Sequence, residues 1–561
     1  MGKKRSWFYF LLTVIALCWV YAACYHIFLL DYEYEIEDNA AIITYYKGSE
    51  PYVIIPATLG GTPVKEIGRE AFSKNASIRT VVIPDGVTKI GYNAFSESSL
   101  EKVQLPGSVT EIGVGAFADS TLTSVDLPEN LKEIWNYAFS NCVNLQAIKI
   151  PAKVSYIDES FVVGCSHLKS IEVSGQNNAF VTQDGVLYTS DMETLLAYPA
   201  GRSPEDFKIP ESVTRIAEFA FCDSTITSVS IPEGVVGIYD YPFLGCKMLR
   251  RIDLPASLTT IEDCFYIFGL CDNLECINVS TDNQVYASMD GVLYDKAMTK
   301  LLFYPLGKKE SSFTAPNGIH SIEKQAFYQN ENLVEVILPD GAESIGEDSY
   351  AYCEKLERIM LPDGLKSIGY DAFSCCKNLK NIVLPDSLTS LGGSVFELCR
   401  SLKEITIPKG ITSIYSDTFN GCEKLERVML PDSLKSIGDN AFDWCEKLEQ
   451  VMLPDNLSSI GDYAFRGCRN LKSVILPGSL TSLGESAFSY CDVLASIFIP
   501  SGVTSIEIGR SMAVRHAQLR ARQAATHKHM PITTIFHSRS KRGSFLKAHD
   551  PLSDKQMNGT G

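Results

Sequence analysis

The fold class this sequence predicts is a repeat solenoid, mostly β with short turns, built from units of 22–23 residues. Three observations predict it. Prolines recur at steps of 23 from Pro316 through Pro339, Pro362, Pro385, Pro408, Pro431, Pro454 and Pro477 to Pro500. The earlier runs Pro84, Pro106, Pro128, Pro151 and Pro210, Pro232, Pro255 keep steps of 22 or 23. At 561 residues the chain is several times an ordinary domain, yet its hydrophobic fraction of 45% is that of a folded protein. A fixed period of this length means stacked units, each too small to bury its own apolar face.

One unit shows the elements in order. Leu448-x-x-Val451-x-Leu453 alternates apolar and other residues, the pattern of a half-buried strand. Pro454 ends that strand, because proline has no N–H to give to a ladder. Leu457-x-x-Ile460 is a second short strand, closed by Gly461. Ala464-Phe465 then packs the turn back toward the next strand, and Cys468 follows.

This pattern, Ile-Pro-x-x-(Val/Leu)-x-x-Ile-Gly-x-x-Ala-Phe-x-x-Cys-x-x-Leu, resembles the BspA-type leucine-rich repeat family from about Val64 to Ile506. The resemblance implies a leucine-rich-repeat fold. It also implies a microbial surface or secreted protein, with adhesion as a common role.

The rest of the chain divides around the array. After Met1-Gly2-Lys3-Lys4-Arg5, an apolar run from Trp7 to Leu30 holds no formally charged residue. It is long enough to cross a bilayer, which needs about 20 residues. The basic flank predicts a cytoplasmic N-terminus, with the repeats outside. A signal anchor, a signal peptide cleaved near Ala22 or Ala23, and a lipoprotein through Cys24 all remain open. Residues 31–63 read as an N-terminal β cap, carried by Tyr34–Ile36, Ala41–Thr44 and Tyr52–Ile55. Residues 64–506 are the solenoid, with hairpin insertions near 174–207 and 280–313. Asp184-Gly185 and Asp290-Gly291 are hairpin signals. They lie 106 apart, as do the flanking Tyr198-Pro199 and Tyr304-Pro305, which indicates a duplicated block. The insertions read either as spacers on the solenoid edge or as loops that shape a ligand site.

Residues 507–561 form a basic tail, expected to be disordered. It carries ten Lys/Arg against three Asp/Glu, a net of +7, so the −17 of the whole chain leaves −24 for the remainder. An acidic body argues against nucleic acid as a partner.

Catalysis and cofactors are not expected. Five of the eight histidines lie in the tail, at His516, His527, His529, His537 and His549, so no triad is suggested within the array. Cys353, Cys376, Cys399, Cys422, Cys445, Cys468 and Cys491 fall at steps of 23. They read as a column of free core thiols, each acting as a small hydrophobe. Cys264/Cys271/Cys276 and Cys375/Cys376 lack zinc spacing, so no metal is expected.

Binding has one candidate surface. In Leu-x-x-Val-x-Leu the residue after Val points outward. In the N-terminal half it is Gln104, Asp126, Lys149, Glu172, Ser230, Asp253 and Asn278. In the C-terminal half it is Ile337, Met360, Val383, Thr406, Met429, Met452, Ile475 and Phe498. An exposed apolar stripe of this length suggests an interaction face; strand propensity alone is the competing explanation. The expected function is therefore a cell-surface or secreted repeat protein, membrane-associated through its N-terminal helix, that binds a protein or glycan partner in adhesion. The alternative is a structural surface protein that self-associates without a specific ligand.

Overall fold

The computed structural model describes residues 31–202 and 207–503. The export or anchor segment 1–30 and the basic tail 507–561 lie outside these residues, as do residues 203–206 of the first insertion. Among the described residues no helix is long and apolar enough to cross a membrane.

The chain coils into a β-solenoid, and every coil contributes to the same three walls. The first wall is a parallel sheet made from the strand before each proline. Tyr52–Ile54, Thr80–Val82, Lys102–Gln104 and Ser124–Val125 pair in that order. Arg427–Met429 pairs Glu404–Thr406 in the same way further along. The second wall is a parallel sheet of very short strands, in which Ser344, Ser367 and Ser390 lie side by side, as do Ile345, Ile368 and Leu391. Between the walls each proline carbonyl accepts the N–H three residues on, as Pro454 does from Leu457 at 3.1 Å. Proline thus stops one strand and starts the turn to the next.

The third wall is a stack of turns with a ladder of aromatic rings inside it. Phe419, Phe442, Phe465 and Phe488 stack nearly parallel, with centroids 5.0–5.2 Å apart. Their backbone repeats too: the Phe442 N–H donates to Ala464 of the next coil at 2.7 Å. Coils are therefore tied at all three walls. At the N-terminal end the ladder continues through Phe72 to Tyr46, 4.9 Å away. Tyr46 ends the strand Ala40–Tyr46, which pairs antiparallel with Tyr32–Glu37 at the edge of the second sheet.

The glycine after the second strand is a spacing device. A Cβ on Gly461 would sit 2.6 Å from backbone atoms of the preceding coil. Tyr415 places a Cβ in that same column. There the second sheet is interrupted, ending at Ser390–Leu391 and resuming at Ser413–Ile414. The rings on either side of Phe396 are also wider apart, at 5.7 and 5.5 Å.

Each insertion adds a hairpin at the edge of a sheet, with its middle strand buried. In the first, Phe180–Gln183 and Val186–Thr189 form a hairpin, and Thr194–Ala197 leads back into the parallel ladder through Arg215–Ile216. In the second, Tyr286–Met289, Val292–Asp295 and Lys300–Phe303 repeat the arrangement. Asp184 and Gly185 both have positive φ, as do Asp290 and Gly291, the geometry two-residue hairpins need. Val186-Leu187-Tyr188 and Val292-Leu293-Tyr294 are buried without interruption, so the middle strand of each insertion has both faces covered, while the first strand lies half-buried at the sheet edge. In the second insertion Val292 and Tyr294 face the C-terminal core, whereas Leu293 faces the N-terminal one. This period-2 alternation makes the hairpin a partition between two cores. Around the first insertion, contacts reach past the inserted coil: Glu159 pairs with Arg215 and accepts the Glu218 N–H at 2.8 Å.

Candidate functional site

The outward positions of the first sheet carry the candidate site. Strand alternation buries Val428, Val451 and Val474 at 4–6% exposure. Between them the stripe residues point out. Met429 is 58% exposed, Met452 84%, Ile475 83% and Phe498 82%. Val383 and Met360 are also exposed, as is Thr406, while Ile337 is half-buried. The column is not one unbroken ladder, since the first-sheet strands ending at Arg358–Met360 and starting at Glu404–Thr406 belong to separate sheets.

The N-terminal half presents polar groups at the same positions. Gln104, Asp126, Lys149, Glu172 and Ser230 are exposed. Asp253 accepts from Arg251 at 2.9 Å and from Asn278 at 2.7 Å, so this column is knitted laterally. The first coil departs from that pattern, because Ile54 holds the equivalent position and is 53% exposed. Val82 on the next coil is also apolar and half-buried, so the polar run begins only at Gln104, two coils after Ile54.

Charge frames the apolar column. Two residues before each stripe position, Arg358 meets Glu335 at 2.9 Å and Arg427 meets Glu404 at 2.7 Å. These pairs are exposed and worth at most about 1 kcal/mol each. They leave that rim electrically balanced. On the opposite rim, just past the prolines, Asp340, Asp363, Asp386, Asp432 and Asp455 are exposed, with Lys409 between them and Gly478 and Ser501 in their place beside Ile475 and Phe498. The signal for this acidic rim, Pro-Asp at steps of 23, was present in the sequence and was not read.

The thiol column is buried and unbridged, with a role beyond filling space. Cys445 donates its S–H to the Phe419 carbonyl at 3.2 Å, and Cys468 donates to Phe442 at 3.2 Å. In coils without cysteine a serine or an asparagine takes the position, and Ser98 donates to Phe95 of its own coil at 2.6 Å. The thiol adds a second bond to a carbonyl that already has one, since Phe419 also accepts the Cys422 N–H at 3.1 Å. Burial pushes Cys142, Cys353 and Cys491 up to about 12. The thiolate is the reactive form. Folded protein should therefore resist an alkylating reagent at Cys353 through Cys491, and denaturant should release all seven to labelling counted by mass. Rapid labelling of the native chain would show that the column is open.

Carboxylates gather on the turn wall rather than forming only a solvated face. Asp371 is pushed up to about 6 by burial and then by Asp348 and Glu347. Glu397 is pushed up to about 7 by burial and then by Asp417 and Asp371. The Asn420 amide donates to both Glu397 and Asp417 at 3.2 Å. Asp443, almost fully buried, is held by both arms of Arg466. Desolvation and mutual repulsion account for these shifts. Among the described residues no group of three or more His, Cys, Asp or Glu could hold a metal ion.

The family model described as BspA type leucine rich repeat region (6 copies) matches residues 65–185, 200–289, 296–426 and 412–510. A leucine-rich repeat protein from Eubacterium ventriosum is 21% identical over 84% of this chain and 94% of its own, with a TM-score of 0.41. The pneumococcal vaccine antigen PcpA is 20% identical over 81% of this chain and 96% of its own, with a TM-score of 0.31. A leucine rich cell surface protein from Faecalibacterium prausnitzii is 25% identical over 87% and 95%, with a TM-score of 0.31. No curated protein matches the chain. With matched segments covering most of its length and the three-walled coil in place, the chain belongs to the BspA-type leucine-rich repeat family.

Proposed function

We propose that this chain is a binding protein rather than a catalyst, displayed on the cell surface or secreted, and that it engages a protein or glycan partner in adhesion. The supporting observation is the exposed aliphatic column of the C-terminal half, set against the polar column at the same positions in the N-terminal half. A fold that tolerates Lys149 and Glu172 on this face does not need Met452 or Ile475 there for stability. Replacing Met429 and Met452 together by Lys should leave the melting temperature nearly unchanged, because surface substitutions usually cost under about 0.5 kcal/mol. The same pair should abolish partner capture, since charge is unfavourable at an interface core. Capture equal to wild type would place the binding face elsewhere.

The same bare column also suits contact between copies, the structural reading. Sedimentation across a concentration series separates the two, because self-association makes the mass concentration-dependent and the Met pair would remove that dependence.

Display outside the membrane rests on Lys3, Lys4 and Arg5 ahead of the apolar run. Protease added to intact cells should digest the repeats. Protection until lysis would overturn that orientation.

A further inference from the structure

We propose that the apolar column takes a basic amphipathic α-helix from another protein, laid along the solenoid axis with its Lys/Arg edge against the aspartate rim. This deepens the binding reading above and rests on it. Three observations select the occupant. The first is shape. The strands of this sheet are two or three residues long, so the face is narrow across the strands and long across the coils. A partner must therefore run along the axis. An extended segment lying that way would cross the strands and could not pair with them, because their N–H and C=O groups are spent between coils. A helix brings its backbone already satisfied. Its pitch of about 5.4 Å also sets one residue over each coil, given a ring spacing of 5.0–5.2 Å. A strand's two-residue repeat of about 6.7 Å would fall out of step within three coils.

The second observation is chemistry. The column from Met360 to Phe498 offers a hydrogen-bonding side chain only at Thr406, and a sugar would leave its hydroxyls without partners there. Exposed methionines at 360, 429 and 452 instead suit the uneven apolar ridge of a helix. The third is charge. One rim is neutralised by the pairs Glu335–Arg358 and Glu404–Arg427. The other is net acidic: Asp340, Asp363, Asp386, Asp432 and Asp455, for which no ion pair is found among the described residues, outnumber the single cation Lys409 between them. Only a helix with cations along one edge complements both rims.

Fluorescence anisotropy with the full-length chain in detergent and synthetic peptides of about 24 residues tests this, a length that spans roughly 35 Å. The probes are an amphipathic helix with Lys on one edge, its Glu-for-Lys version, a shuffled version without an apolar face, and a strand-forming peptide of equal charge. The Lys helix should bind at least about tenfold more tightly than each of the others. Asp432→Asn with Asp455→Asn should erase its advantage over the Glu version, and Met429→Lys with Met452→Lys should abolish binding. Equal binding of the Glu version overturns the charge argument, and tighter binding of the strand peptide overturns the geometry. If the Lys helix binds only after residues 507–561 are removed, the occupant is the chain's own basic tail and the partner in trans is refuted. If no peptide binds while the Met pair still abolishes partner capture, the helix falls and the binding face stands. If the Met pair changes nothing either, both fall.

Discussion

Val451→Lys should unfold the C-terminal coils, whereas Met452→Lys, one residue on, should not. Val451 is 4% exposed and pairs with Val428 on the strand before it, inside the column that Ile405 begins and Val474 continues. A lysine there either buries an unpaired ammonium or gives up its proton, and both are costly. The loss should be roughly 4 kcal/mol, at the severe end for single substitutions. Because coils touch only their neighbours, the damage should spread toward the nearby C-terminal end and leave the N-terminal core standing. Calorimetry should show a new, earlier transition in Val451→Lys. Hydrogen exchange should then place the lost protection after about residue 428, in the coils around the substituted strand. Met452, 84% exposed, should accept lysine with a single unshifted transition. The opposite pattern would mean that the two faces of the sheet have been exchanged.

That contrast was legible in the sequence because strand alternation and a 23-residue step act together. Once Pro454 fixes where a strand ends, the inward Val451 and outward Met452 follow from the pleat alone. The aromatic ladder was legible for the same reason, since one Phe per period must meet its neighbour. What could not be read was whatever depends on contacts between coils. Cys445 and Ser98 look unlike in sequence, yet both supply a donor to a Phe carbonyl, and only the folded turn shows the carbonyl. Tyr415 stands in the glycine column where the second sheet breaks, but Trp135 stands there too and the sheet runs on beside it, so the residue type alone does not mark the break. The carboxylates at 371, 397 and 417 stand in different units and converge only on the turn wall. In the insertions, Asp184-Gly185 gave the turn correctly. The continuous apolar runs beside it mark the middle strand as buried on both faces, while the hairpin itself stands at the sheet edge.

The insertions also hold the side chain whose loss should be felt most after Val451. Asn283 is fully buried at the entry to the second hairpin. Its amide nitrogen donates to the Pro255 carbonyl at 2.9 Å and to Leu258 at 2.8 Å. Its oxygen accepts the N–H groups of Val285 at 2.8 Å and Tyr286 at 2.7 Å. One side chain thus joins the preceding turn to the first strand of the hairpin. Asn177 makes the same four bonds, to Pro151, Val154, Ala179 and Phe180, 106 residues earlier. Asn283→Leu keeps the branched shape of the side chain but strands two carbonyls and two N–H groups. Each unsatisfied buried group costs about 1–3 kcal/mol, and partial relaxation should bring the total to roughly 3–4 kcal/mol. Asn177 is only half-buried, so water can take over some of its bonds and Asn177→Leu should cost less. Since the second hairpin separates the N-terminal core from the C-terminal one, its loosening should uncouple them. Asn283→Leu should therefore split one melting transition into two and expose residues near 284–310 to limited proteolysis. A single transition at the wild-type temperature would show that the apolar faces of the hairpin hold it in place without the asparagine.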